Sequence, residues 1–90
     1  MDFEIDPAKA ALNLKKHRVS FEEAASVFGD PLAFTFADPD HSIDEDRWLM
    51  FGLSQRARIL AVVYTQRRGR YRIISSRLAT RRERKIYEED

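Results

Sequence analysis

The spacing of apolar positions switches along this chain from short clusters to helical periodicity to alternation, and each switch marks an element. Phe3 to Ile5 form a short β run, and Asp6-Pro7 reads as an N-cap followed by proline at the first helical position. A helix is expected over Pro7 to His17, with Lys9, Asn13, Lys16 and His17 on one polar face and Ala8, Ala11, Leu12 and Val19 packed inward. Ser20-Phe21-Glu22-Glu23 has the form of a capping box, and Phe21, Ala24, Ala25 and Phe28 then recur at helical spacing until Gly29. Asp30-Pro31 makes a turn before a strand over Leu32 to Phe36, and the connection Asp38-Pro39-Asp40-His41 is polar and acidic. Three β-rich runs follow, Arg47 to Leu53, Arg58 to Thr65 and Tyr71 to Ser76, separated by short polar breaks suited to antiparallel hairpins. Thr80-Arg81-Arg82-Glu83 is a second capping box, opening a helix that runs to about Glu88. The order predicts an α+β fold: an antiparallel sheet with an N-terminal helical pair and a C-terminal helix, in a single domain over 1–90.

Composition narrows the class. At 90 residues and 10.6 kDa there is material for one domain, and the 34% of charged residues exceeds the roughly 25% usual in soluble domains. No apolar run approaches the ~20 residues that cross a bilayer, and the acids within Met1 to Glu4 do not suit a signal peptide. With no cysteine there is no disulfide, thiolate nucleophile or Cys-ligated zinc, which fits a cytoplasmic protein. The net charge of +1 hides a strong asymmetry. Residues 1–55 hold five Lys and Arg against eleven acids, residues 56–85 hold eleven against one, and residues 86–90 hold three acids. Ten of the eleven cations in the basic segment are arginines, whose planar fork suits phosphate. A polyanionic partner is expected, with a merely solvated face as the alternative.

Two arginines occupy the first turn of the C-terminal helix, where the helix dipole favours acids, so an anion is expected there. Arg77 leaving its strand and Arg81 on the helix would make a phosphate clamp, unless Arg77 is taken by an acid of the first half. Alternation puts Arg77 in phase with Tyr71, Ile73 and Ser75. Arg47 and Arg58 each start a strand and are in phase with apolar residues, so either can point over the sheet; for Arg58 an exposed hairpin position is the alternative. Arg67, Arg68 and Arg70 flank a hairpin tip where they could follow a nucleic-acid backbone. His17 ends the first helix, as a helix terminator or as a proton or phosphate donor. His41 lies among Asp38, Asp40 and Asp44 without a further His or Cys to complete a metal set, so a solvated loop and no metal are expected. Glu45 and Glu83 are the acids placed where a general base would help. No Gly-rich phosphate loop, GxSxG or HExxH is present.

Asp6-Pro7-Ala8-Lys9 with Asn13 and His17, then Val19 to Ala24, Asp30-Pro31, Glu45-Asp46-Arg47 and Arg72 to Arg84 together resemble the BrnT family of bacterial toxins over nearly the whole chain. The resemblance implies a RelE-like fold, metal-independent ribonuclease activity that arrests translation, no cofactor, and neutralisation by a BrnA-type antitoxin. That antitoxin would carry a ribbon-helix-helix part through which the complex reaches operator DNA. By motif position it places Arg77 and Arg81 on the phosphate, Arg47 as a third cation, and Lys16 or His17 as proton carrier or stabiliser. Lys9, Arg58, Arg67, Arg68, Arg70 and Arg72 are then RNA-binding. Position 18 is Arg where many relatives are expected to carry Gly, and position 76 is Ser where Ala or Met is expected. The alternative from another class is a non-catalytic nucleic-acid-binding or co-repressor subunit.

Overall fold

Asp6 starts the first helix as its sequence suggests, its Oδ1 accepting hydrogen bonds from the backbone N–H of Ala8 at 2.9 Å and of Lys9 at 3.4 Å. The computed structural model describes residues 1–38 and 46–89. Helix α1 covers Pro7–His17 and ends at Arg18, whose φ of 60° lets its N–H return to the Leu14 carbonyl. That left-handed backbone is the kind glycine adopts freely, which gives the departure at position 18 a local cost of about 1 kcal/mol. Helix α2 covers Phe21–Ser26, and a 3-10 turn over Val27–Gly29 tightens its end.

The strands are β1 (Phe3–Glu4), β2 (Phe34–Ala37), β3 (Arg47–Leu53), β4 (Ile59–Arg67) and β5 (Arg70–Leu78), followed by α3 (Arg81–Glu89). They form one sheet in the order β1-β5-β4-β3-β2, antiparallel except at the edge, where β1 runs parallel to β5. The β4–β5 hairpin is longer than the alternation predicts because its turn is only Arg68-Gly69, both with positive φ, 52° and 77°. Such two-residue turns match the twist of the flanking strands.

One face of the sheet is packed beneath α1 and α2. Met50, Leu60, Val62, Tyr64 and Ile73 point into that core and meet Val19, Phe21, Ala24 and Val27. Phe28 is edge-on to Phe3 and Tyr64 with ring centroids 5.0 and 4.8 Å apart, tying β1 and the 3-10 turn to the sheet. Gly52 permits the close approach of the 3-10 turn to β3: a Cβ there would lie 2.6 Å from Val27 Cγ1.

Helix α1 departs in part from the expected facing: Lys9 and Lys16 are exposed and Val19 is buried as expected, but the amide and the apolar residues of the helix have exchanged sides. Asn13 is its one buried residue, whereas Ala8, Ala11, Leu12 and Leu14 are exposed. The cause is a set of long-range hydrogen bonds. Asn13 Nδ2 donates to the carbonyls of Ser76 at 2.7 Å and Val19 at 2.9 Å, and its Oδ1 accepts from the Ser76 N–H at 3.0 Å. The amide thus satisfies the outer edge of β5 beyond the end of β1, where bare peptide groups would otherwise be buried.

Candidate active site

Register decides which arginines share a surface. Between Val63↔Ser75 and Tyr64↔Ile73 the β4–β5 pairing slips, leaving Ile74 as an extra residue. This bulge reverses the alternation of β5 at its middle. Tyr71 and Ile73 point to the core, whereas Arg70, Arg72, Ser75 and Arg77 all point to the opposite face. Arg77 is therefore in phase with Ser75 as expected, but not with Tyr71 and Ile73. Arg47 is on the same face, level with Thr65 and Arg72, while Arg77 is level with Ala61 and Phe51. Four residues separate those rungs, roughly 13 Å along the strands. The expected three-arginine convergence of Arg47, Arg77 and Arg81 is corrected accordingly: Arg47 stands beside Arg72, with Arg67 and Arg70 on the next rung of that face, and not beside Arg77.

Arg77 is held by Glu83. Its Nη1 and Nη2 donate to the two carboxylate oxygens at 2.6 and 3.0 Å. Glu83 Oε1 also accepts the Thr80 N–H at 2.9 Å, and Thr80 Oγ1 accepts the Glu83 N–H at 3.2 Å, completing the capping box of α3. The anion expected at this helix start is thus in part the protein's own. The Arg77 guanidinium, followed by the Thr80 bonds, keeps the Glu83 carboxyl below the usual carboxylate range and outweighs burial, so Glu83 is a weak base. The end-on fork of Arg77 is occupied, but its Nε edge has no partner among the described residues, and 40% of the side chain stays exposed. Arg81 is exposed on the first turn of α3.

At the bulge, the edge of β5 meets α1 in an open groove of about 750 Å³ lined by Lys9, Leu12, Asn13, Lys16, His17, Ile74 and Ser75, among others. Its floor is apolar, its titratable rim is cationic, and Ser75 connects it to the face that bears Arg72 and Arg77. The structure thus brings Lys9, Lys16 and His17 together along one side of β5.

Arg58 is elsewhere. It points to the helix side, where Glu23 of α2 accepts from both its Nε, at 2.9 Å, and its Nη2, while Nη2 also reaches the Arg18 carbonyl at 3.1 Å. Glu23 is 1% exposed and also accepts from Ser54 Oγ at 2.6 Å. Its carboxyl is lowered chiefly by the Arg58 hydrogen bonds, against the effect of burial. Neither an exposed hairpin arginine nor an RNA ligand describes Arg58, whose fork is committed to a buried acid. The same pairing changes the role of the Ser20 capping box: Ser20 Oγ accepts the Glu23 N–H at 3.0 Å, but the Glu23 carboxylate turns away to Arg58.

Among the described residues no group of three His, Cys, Asp or Glu side chains could hold a metal ion, and no helix is long and apolar enough to cross a membrane. His41, Asp40, Asp44 and Glu45 lie outside the described residues.

The model of the ribonuclease toxin BrnT of type II toxin-antitoxin systems matches residues 5–83. The chain belongs to the BrnT family. A family of type II toxins implies an antitoxin partner. The crystal structure of the Brucella abortus ribonuclease toxin BrnT, solved at 1.1 Å, superposes with a TM-score of 0.70 at 23% identity, covering 90% of this chain and 99% of that one. It shares the fold, an α+β arrangement with a five-stranded, mostly antiparallel sheet and three helices. No curated protein matches the chain.

Sequence reasoning missed two residues that shape the site of this BrnT-family toxin. Asn13 was expected on a free polar face, and instead anchors α1 to β5. Its signal was an amide four residues from both Lys9 and His17, but its partner lies 63 residues away. Glu83 is expected as a capping residue and as an acid placed where a general base would help, and what that reading lacks is its hold on Arg77; its spacing of six from an arginine across a strand-to-helix junction is the available clue.

Proposed function

We propose that this chain is a metal-independent endoribonuclease that binds single-stranded RNA along β5 and arrests translation in the cytoplasm. The observation that supports this reading best is the bulge at Ile74, because it aligns Arg70, Arg72, Ser75 and Arg77 on one face beside the groove of Lys9, Lys16 and His17. From Arg70 to Arg77 the strand extends roughly 23 Å, enough for several phosphates. Arg47, Arg67 and Arg68 extend the cationic surface at the hairpin end, where charge rather than exact geometry serves to position a backbone.

In this reading the RNA 2′-oxygen attacks the adjacent phosphorus, the bond to the 5′-oxygen breaks, and a 2′,3′-cyclic phosphate and a 5′-hydroxyl result. The Nε edge of Arg77, held in place by Glu83, and Arg81 stabilise the charge that develops on the phosphorane. His17 or Lys16 carries the proton between the 2′-hydroxyl and the leaving oxygen. The partner is a BrnA-type antitoxin with a ribbon-helix-helix part, through which the complex would reach operator DNA.

The test is cleavage of a defined RNA in EDTA. Products with cyclic phosphate ends are expected, and replacing the nucleotide 5′ of the cut by its 2′-deoxy form should block cleavage there. Cleavage of the deoxy substrate, or cleavage abolished by EDTA, would contradict the mechanism. Salt-sensitive RNA binding with no cleavage under any condition would favour the binding-subunit alternative.

A further inference from the structure

Helix α1 buries its amide and leaves Leu12 and Leu14 at 68% and 49% exposure. Leu14 and Ala11 lie where two shallow grooves join. One, of about 250 Å³, runs between α1 and the start of α2 and includes Ile5, Ala10 and Glu22. The other, of about 720 Å³, runs to the β3–β4 hairpin and includes Lys15, Arg18, Arg56 and Arg58. Together they make a trough with an apolar middle, a cationic end and an acid at the other end. Arg58 is already neutralised by Glu23, whose carboxylate Arg56 also approaches at 3.9 Å from its exposed position, so the charge offered at the cationic end comes chiefly from Lys15 and Arg18.

From this trough we infer an antitoxin docking surface, filled by an amphipathic acidic segment of the protein that the toxin-antitoxin family implies as partner. Three features select a protein segment over RNA. The middle is aliphatic, and Phe21, the aromatic residue bordering it, is 2% exposed and offers no ring for stacking a base. The charge is bipolar, with Glu22 opposing a uniformly anionic backbone. Exposed leucine on a helix whose inward face is already satisfied has burial to gain only from a partner's apolar side chains. The polarity also sets direction: the partner's acids lie over Lys15 and Arg18, and a basic or neutral residue over Glu22. Helix α1 is 11 residues long, about 16 Å, so a helical segment of similar length fills the trough. Lys15 borders both this trough and the groove of Lys9, Lys16 and His17, so an occupant here abuts the proposed RNA path and inhibits by covering it.

The experiment is calorimetric titration of the purified full chain with its cognate antitoxin, for wild type, Leu14→Glu, Leu14→Met and Arg18→Glu. Both Glu variants should bind more than tenfold more weakly and Leu14→Met within twofold of wild type, with melting and RNA cleavage unchanged. The Arg18 side chain is exposed, so its variant reads the surface even if Leu14→Glu fails to fold. Affinities within twofold for both Glu variants would overturn the inference. So would a parallel loss of RNA binding, which would assign the trough to RNA, or dimers of the chain alone in sedimentation that Leu14→Glu dissolves. Antitoxin affinity is read directly, so the outcome is independent of whether the proposed cleavage mechanism holds.

Discussion

Arg58 and Arg77 each lie in the grip of both oxygens of one glutamate, yet the side chains of arginine and acid are 27% and 1% exposed in the first pair and 40% and 15% in the second. The first pair joins α2, the β3–β4 hairpin and the end of α1, and its carboxylate also accepts from the Ser54 hydroxyl. The second joins a strand end to a helix start and leaves one edge of its guanidinium open. Identical chemistry therefore serves two ends: a pair whose acid is fully buried fixes the fold, and a pair whose acid is only partly buried presents a cation in a fixed orientation.

The contrast breaks most visibly on deletion of the acids. Glu23→Ala leaves Arg58 and Ser54 facing each other without the carboxylate, and should lower unfolding stability by about 3–5 kcal/mol in urea titrations. Glu83→Gln keeps a capping side chain and loses a partly exposed ion pair, so about 1 kcal/mol is expected in the same measurement. A loss as large as that of Glu23→Ala would put both pairs in the structural class. The Gln variant should also cut RNA more slowly than wild type, because Arg77 is no longer oriented.

Acid sharpens the same contrast. Both carboxyls are lowered by their arginines, so the stability they contribute is complete above the ordinary carboxylate range and is lost as pH falls through the lowered folded values. The stability gap between wild type and Glu23→Ala should accordingly close toward low pH, and a gap that is constant with pH would refute the pairing. At the other extreme, Tyr87 donates to Asp30 at 2.6 Å, and that hydrogen bond pushes its hydroxyl up to about 12. Its contribution to docking α3 is complete below the ordinary tyrosine value and disappears as pH rises through about 12. The smallest effect is expected at Ser76, whose buried Oγ has no hydrogen-bond partner among the described residues. Ser76→Ala should leave stability equal or raise it by about 1 kcal/mol, by thermal or urea melting.

Much of this was legible in sequence for a physical reason: caps, turns and alternation are local. Asp6-Pro7, Thr80 with Glu83, and the runs behind β3, β4 and β5 specify their elements through neighbours a few residues away. What escaped was set at long range. A single extra residue at Ile74 reversed the facing of half a strand, and alternation counted from Tyr71 cannot see it. Asn13 faces inward because a β5 edge left bare by a two-residue β1 needs an amide, which turns the leucines of α1 outward. The sequence alone leaves Arg58 between a hairpin cation and an RNA-facing one, because its partner, Glu23, is already explained by a capping box.

The most direct test is the rate at which Arg77→Ala, with folding checked by melting, cleaves RNA in EDTA relative to wild type. Loss of one preorganised cation at the phosphorane predicts a fall of about 100-fold or more, with stability changed by only about 1 kcal/mol. Undiminished cleavage by the folded variant would contradict the placement of Arg77 on the scissile phosphate.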